Sequence, residues 1–412
     1  MNLFALSRKN LFSKPLSLTL SLVLFALGVG LISLLLLVNR QLEEKFEKNL
    51  AGIDLVIGAK GSPLQLILSS MYHVDAPTGN ISIQEVRPFL NPRHPFIKTA
   101  VPLSLGDSYK GYRIVGTTSA FFQVYNAETG TGKMFEKPME AVVGANAARA
   151  LGLAIGDSFF SSHGLLEELD MEHDHAAFRV TGILKPTGSA ADQLILTPPQ
   201  SIWQVHEHSA EESHEHEEDV DIRRPLMDFP DKDITALMLQ FKGRNIQTLN
   251  MQRSINENTN LQAATPAIEI TRLYSLMGVG ADALRWLAFI IIAVSGLSIF
   301  ISLYASLKER RYELALMRTM GASPSKLFTL IILEGLTLAC LGYGIGIGLS
   351  HGCMEVLGGF LQDTYRYTFT GKVFLKEELH LLFGALGVGF AAAVIPALQA
   401  SSTDIHKTLS GR

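Results

Sequence analysis

The feature that most constrains this chain is a run of residues that water cannot hold in extended form. Leu16–Val38 contains 23 residues without a charge. As a helix such a run reaches about 34 Å, enough to cross the hydrocarbon core of a bilayer. Trp286–Leu307 and Leu327–Ser350 are comparable, the second carrying one acid, Glu334, and Leu379–Ala400 is less apolar but long enough. Apolar stretches between residues 50 and 280, such as Ile53–Val56 and Ala141–Val143, are too short to span and read as strands or core segments. The pattern predicts four crossings.

The first run is longer than the roughly 7–15 residues of a signal-peptide core, and no small-x-small cleavage site follows, so a retained anchor is expected. Arg8, Lys9 and Lys14 precede it, which places residues 1–15 in the cytoplasm. Crossings at 16–38, 284–307, 327–350 and 379–400 then put 39–283 and 351–378 outside, with 308–326 and the tail 401–412 inside. The loop 308–326 carries five bases against two acids, and this agrees independently with an inside position. The expected fold class is an α+β membrane protein: four transmembrane helices with a large extracytoplasmic α/β domain between the first and second.

That external region has no cysteine, since the two in the chain are Cys340 and Cys353. Its stability must therefore come from a packed core rather than disulfides. Asn39–Leu50 carries Leu42, Phe46 and Leu50 four residues apart, which continues the first helix as a stalk. Beyond it, turn residues punctuate short β-like runs at 54–63, 112–118 and 178–188, and Ala145–Leu153 reads as a short helix. The mixture suggests an α+β domain of two subdomains, and Arg272–Asp282 is the expected return stalk.

Residues 163–221 depart from the rest, with 14 acids against two bases. The core of this segment, 206–221, is too polar to pack and is expected to be a flexible loop. Three His-x-His units fall here: His173/His175, His206/His208 and His214/His216. Neutral imidazole binds Zn²⁺ and related divalent transition ions, and i and i+2 side chains of an extended segment project to the same side. The bland alternative is a solvated acidic insertion in which histidine is incidental. No His-Glu-x-x-His occurs, so metalloprotease chemistry is not expected, nor is nucleic-acid binding.

Between the second and third runs, Leu314, Leu316, Met317 and Met320 are spaced for a short amphipathic helix that Gly321 and Pro324 end. Within the third run, Gly342, Gly344, Gly346 and Gly348 alternate as two overlapping small-xxx-small pairs, and Gly28 and Gly30 do the same on a smaller scale. Such glycines let another helix approach closely, within the chain or across a dimer. Glu334 is either a polar contact that couples helices or a carboxylate snorkelling to the interface. The nearest approach to a phosphate loop, 127–135, has Ala127 where the first glycine is needed and Met134 where a Mg²⁺-binding hydroxyl is needed. It is not a nucleotide site.

Three segments together resemble a known family. KERRYELALMRTMGASPSKLFTLIILEG (308–335) resembles the signature of the FtsX-like permease domain, and AVIPALQASSTDIHKTL (393–409) its closing element. VVGANAARALGLAIGDSF (142–159) and FRVTGILKPTGSAAD (178–192) are similar to the external core domain of MacB-type permeases, and residues 7–30 fit the first span of that family. The resemblance implies the membrane subunit of a MacB/FtsX-type (type VII) ABC transporter. It would pair as a homodimer, with its glycine-rich faces near the subunit contact, and bind two copies of a separate ATPase subunit. ATP and Mg²⁺ would sit on that partner, with no cofactor and no catalysis in this chain. Within the resemblance, Tyr312, Leu316 and Met317 dock in an ATPase groove while Arg310, Arg311 and Arg318 pair with acids around it. The transporter would move its external domain (mechanotransmission) in the inner membrane, among lipid, toward a periplasmic or outer-membrane partner. A regulatory scaffold controlling an envelope enzyme, in the manner of FtsX, is the rival expectation, and a metal sensor anchored by the spans is a third.

Overall fold

The computed structural model describes residue 7 and residues 15–163, 172–208, 221–365 and 369–402. The chain divides into two compact units, one of residues 1–42 and 276–412 and the other of residues 43–275.

The second unit is built on a sheet. Its strands are β1 (Leu55–Ala59), β2 (Ile81–Ser82), β3 (Ile97–Tyr109), β4 (Tyr112–Thr117), β5 (Thr129–Gly132), β6 (Glu140–Val143), β7 (Ser158–His163), β8 (Glu172–Leu184), β9 (Ile195–Thr197), β10 (Asp233–Ile234), β11 (Ala236–Phe241) and β12 (Leu261–Ala264). Among the described residues the main sheet runs β12-β1-β11-β3-β4-β9-β6-β8-β5, with β7 against β3 and β8; β10 and β2 pair separately. β4–β9 and β6–β8 are parallel and the other pairs antiparallel. Local chemistry sets the β3–β4 hairpin: Lys110 and Gly111 both take positive φ, the two-residue turn whose twist matches the strands it joins.

Helix α1 (Pro15–Leu50) enters this unit, and α2 (Pro63–Met71), α3 (Ile83–Leu90), α4 (Ser119–Val124), α5 (Ala145–Leu151), α6 (Pro199–His208) and α7 (Ile246–Asn258) follow. Because strand side chains alternate, neighbouring residues serve opposite faces. Val56, Val101, Leu103, Val115, Val142 and Met238 build one core with Leu66 and Phe121. On the other face Ile57, Leu237 and Leu239 join Ile83 and Ile255, while Ile114, Val143, Phe178 and Ile195 join Ala147 and Ile202. The expectation of two subdomains is therefore corrected. One continuous sheet runs through the unit, and only the apolar packing on one face divides in two.

The reading of 163–221 as one His- and acid-rich loop is corrected in part, while residues 209–220 of its expected flexible core 206–221 lie outside the described residues. Strands β8 and β9 and helix α6 all lie within 163–221. The acidic composition misled because strand β8 changes character along its length, from the charged start at Glu172 to the buried Phe178 and Val180.

The first unit is helical. Together with the first part of α1 it holds α8 (Pro266–Glu309, entering from the other unit), α9 (Arg311–Thr319), α10 (Pro324–Tyr365) and α11 (Lys376–Ser401). Four of these helices are long and apolar enough to cross a membrane. Their outward residues are apolar too: Leu20, Leu27, Phe289, Ile290, Phe383 and Ile395 are exposed. That surface suits lipid rather than water. Inside, Phe25, Val29, Ile299, Leu303, Ile331, Ala339 and Ala393 pack together. Helix α10 continues to Tyr365, so the segment expected as a loop from residue 351 begins as helix.

Candidate functional site

Two sites stand out in the helical unit. The first is α9. Arg318 and Met317 carbonyls receive the N–H groups of Gly321 and Ala322, and Gly321 takes φ +94°, a left-handed turn that glycine adopts without a Cβ penalty. Pro324 then opens α10, where its missing N–H costs nothing. The short helix is thus ended at its C-terminus by its own sequence.

The apolar residues of α9 split between two faces. Leu314 and Ala315 are buried, and Met317 packs against the bundle core. Tyr312 (61 % exposed), Leu316 (47 %) and Met320 (78 %) form an outward stripe at four-residue spacing. Of the expected docking residues, Tyr312 and Leu316 lie on this stripe and Arg311 is exposed beside it, while Arg318 is half-buried. Met317 is corrected: the helical repeat turns it inward, toward the same core as Leu314.

Arg310 is corrected too. Its guanidinium is directed at Glu313 (3.1 Å) and at Glu334 Oε1 of α10 (3.8 Å), with its side chain only 17 % exposed. Glu334 is buried, so it does not snorkel. A buried carboxylate needs a compensating charge, and Arg310 supplies one at the junction of α8, α9 and α10.

The second site was not legible as a motif. Glu378 is the third residue of α11, and its Oε2 accepts the N–H of Leu375 at 3.1 Å, the reciprocal half of a capping box. Its Oε1 accepts from Ser33 Oγ of α1 (2.8 Å) and lies 2.9 Å from His351 Nε2 of α10. Ser33 Oγ also bonds Ser350 Oγ at 2.7 Å. His351 Nδ1 bonds the carbonyl of Gly371, and the His351 ring stacks on Phe374 with centroids 4.5 Å apart. Tyr343 Oη donates to the Glu378 carbonyl at 3.0 Å. Farther along, Gln41 exchanges two hydrogen bonds with the backbone of Thr370, and Glu355 accepts from Thr370 Oγ1 and Gly371 N. Three spanning helices and the 369–375 segment meet here through polar atoms. Apolar-run boundaries fell between Ser350 and His351 and between Glu378 and Leu379, so sequence reasoning assigned both ionisable residues to a loop.

The glycines separate by face. A Cβ on Gly342 would meet Phe25 Cδ1 at 2.7 Å, and one on Gly346 would meet the Ala26 carbonyl oxygen at 2.7 Å, so these two seat α1 within the chain. Gly344 and Gly348 have nothing within 4 Å.

The histidine pairs fall in different settings. His173 and His175 lie on β8, and His214 and His216 lie outside the described residues. His206 and His208 sit on α6, where positions two apart are about 200° apart around the axis, so the reading of an extended pair is corrected. His206 Nε2 instead lies 3.5 Å from Oδ1 of the buried Asp107. It borders a cleft of about 290 Å³ with Ser104, Trp203, Lys232 and Thr235. No group of three or more metal-ligating side chains forms among the described residues.

In the β-rich unit, the KPTGSAAD stretch owes its residues to one loop. Asp192 accepts from Thr187 N, Thr187 Oγ1 and Gly188 N, and Ala190 N donates to Asn49 Oδ1 at the end of α1 (2.7 Å). Phe46 of α1 packs edge-on against Tyr72 and Tyr274, the latter on α8. Both long helices are therefore fastened within this unit.

The chain is similar to known proteins. The MacB-like periplasmic core domain family matches residues 18–250, more than half of the chain, and the FtsX-like permease C-terminal family matches residues 286–405. The ABC transporter permease YtrF of Bacillus subtilis (strain 168) is 24 % identical over 196 residues, 42 % of this chain and 44 % of that protein. The chain thus spans under half the length of that relative. The extracellular domain of the noncanonic ABC-type transporter YknZ from Gram-positive bacteria aligns with 52 % of this chain and 99 % of its own, at 12 % identity and a TM-score of 0.30. With both family models matched in order along one chain, this multi-pass membrane protein belongs to the MacB/FtsX-type ABC transporter permeases.

Proposed function

We propose that the chain is a permease subunit that couples ATP hydrolysis on a separate ATPase to motion of its β-rich unit. The ATPase docks on the Tyr312–Leu316–Met320 stripe of α9, with Arg311 beside it. Both termini and α9 lie in the cytoplasm, the β-rich unit lies outside, and two copies in the inner membrane engage two ATPase subunits. The observation that carries this reading is the stripe itself. A short helix that buries Leu314 and Met317 in its own bundle still presents three large apolar side chains outward. An amphipathic helix laid into a partner's groove has this form. Arg310 and Glu334 tie the base of α9 to α10, so force on the stripe passes into the bundle. Helices α1 and α8, of 36 and 44 residues, run without a break toward the β-rich unit and serve as levers.

Co-purification of the tagged full chain with its ATPase tests the reading. The double variant Tyr312→Ala, Leu316→Glu is expected to weaken ATPase retention at least about tenfold, since removing central apolar anchors of an interface typically costs more than about 2 kcal/mol. Wild-type protein that never retains an ATPase, or a variant that retains it undiminished, overturns the proposal.

A further inference from the structure

The cleft of about 290 Å³ in the β-rich unit takes its walls from separate parts of the chain. Helix α6 supplies Ile202, Trp203 and His206, the segment leading through β10 supplies Asp231, Lys232 and Asp233, and β3 supplies Leu105. Hydrogen bonds between these parts fix the cleft before any ligand arrives. Trp203 Nε1 donates to the Asp233 carbonyl at 2.8 Å, Ile83 N to the Lys232 carbonyl at 3.0 Å, and Leu105 N to Thr235 Oγ1 at 2.9 Å. Small-molecule sites are usually preformed concavities of this kind, and the volume here suits a small ligand.

Charge at the cleft is one-sided. Asp231 and Asp233 line it at exposed positions, and the buried Asp107 places a third carboxylate 3.5 Å from His206 Nε2. Among the described lining residues Lys232 is the one Lys or Arg. Three carboxylates against one ammonium favour a cation over an anion. The indole of Trp203 offers a cation a π-system, and Ile202, Ile234 and Leu105 offer an apolar stem a place out of water. A bare metal ion fits poorly, since no group of three or more metal-ligating side chains forms among the described residues.

The geometry points to a binding site for a small organic cation, a primary ammonium on a short apolar stem. Its ammonium donates to the Asp231 and Asp233 carboxylates, bonds that charge on both partners strengthens, and its stem lies along Trp203 and Ile202. The site belongs to the β-rich unit alone and is independent of how an ATPase engages α9. It gives that unit a ligand of its own, bound where α6 meets the paired strands β2 and β10.

The two tryptophans of the chain are Trp203 and Trp286, so Trp286→Phe leaves the indole at the cleft as the sole reporter. Fluorescence of this full-length protein in lipid nanodiscs is titrated with benzylamine. Benzyl alcohol and benzoate serve as comparators, which keep the ring but carry a neutral and an anionic head. Benzylamine is expected to give a saturating change with a Kd of about 1 mM or tighter, at least about fivefold below that of the alcohol. Benzoate is expected to give no saturable response. Asp231→Asn combined with Asp233→Asn is expected to weaken benzylamine binding at least about fivefold. Asp228→Asn, at an exposed acid off the lining, is expected to leave it within about twofold. Asp231→Asn alone gives the same comparison should the double variant not fold. A benzylamine response that never saturates, an alcohol that binds as well as the amine, or a neutralised cleft that binds the amine undiminished overturns the proposal.

Discussion

His73 shows how much a single side chain can hide from sequence reading. It follows α2 in a left-handed conformation (φ +54°), and both ring nitrogens are sealed from solvent without a hydrogen-bond partner among the described residues. Burial, and then the positive charge of Arg113, push its pKa down to about 3. The folded protein therefore refuses a proton that the unfolded chain accepts below its ordinary value of about 6.5. The unfolded state binds more protons across that interval, so stability is fully present above about pH 6.5 and is lost as the pH falls toward about 3, at up to about 1.4 kcal/mol per unit. His73→Asn, which tolerates the left-handed backbone, is expected to flatten this acid limb of the unfolding profile. An unchanged limb would assign the acid sensitivity elsewhere. Nothing around His73 in sequence marks it, because its partner Arg113 arrives from β4 across the fold.

At the scale of elements, the glycines of α10 were visible as a helix-packing signal, but their spacing carries two messages. Residues two apart lie about 200° apart on a helix, so Gly342 and Gly346 share one side and Gly344 and Gly348 another. The structure uses the first pair to admit Phe25, Ala26 and Val29 of α1. Gly346→Ala forces its methyl against a backbone oxygen that has no flexible end to move, and is expected to destabilise the bundle by about 1–3 kcal/mol. Within one copy Gly344→Ala and Gly348→Ala meet open space, so bundle stability measured on the monomer is expected to be unchanged or raised by up to about 1 kcal/mol through helix propensity. Melting temperatures of the three variants in one detergent check this, and equal losses for all three would refute the division by face. Helix α9 teaches the same lesson. Its four apolar positions were read as one face, whereas Leu314 and Met317 turn inward and Leu316 and Met320 outward.

For the whole molecule, the proposed coupling needs two copies, because two nucleotide sites require two docking stripes. The open Gly344–Gly348 face is the part of the glycine pattern still available to a second chain. Mass measurement of the full chain in nanodiscs is expected to give a dimer, and Gly348→Cys is expected to cross-link between copies under mild oxidation. Monomeric protein that still drives full coupled ATPase activity would refute the pairing.

Sequence alone determined the features that follow from one-dimensional physics. The length of uncharged runs fixes how many helices suit a membrane, charge around them predicts orientation, and the Arg-rich segment before Gly321 predicts a short helix between two spans. Short β-like runs punctuated by turn residues indicated the class of the β-rich unit, while the KPTGSAAD stretch stood out only through the family resemblance. Tertiary structure alone decided which residues at long separation share a hydrogen bond, a charge or a face. Ser33 and Glu378 are 345 positions apart, and their bond forms because α1, α10 and α11 pack closely enough for short polar side chains to meet. Arg310 finds Glu334 for the same reason, and positions 206 and 208 share a helix rather than the extended segment their spacing suggested. Composition records which groups a chain carries, but partners are chosen by packing, and packing depends on the whole fold.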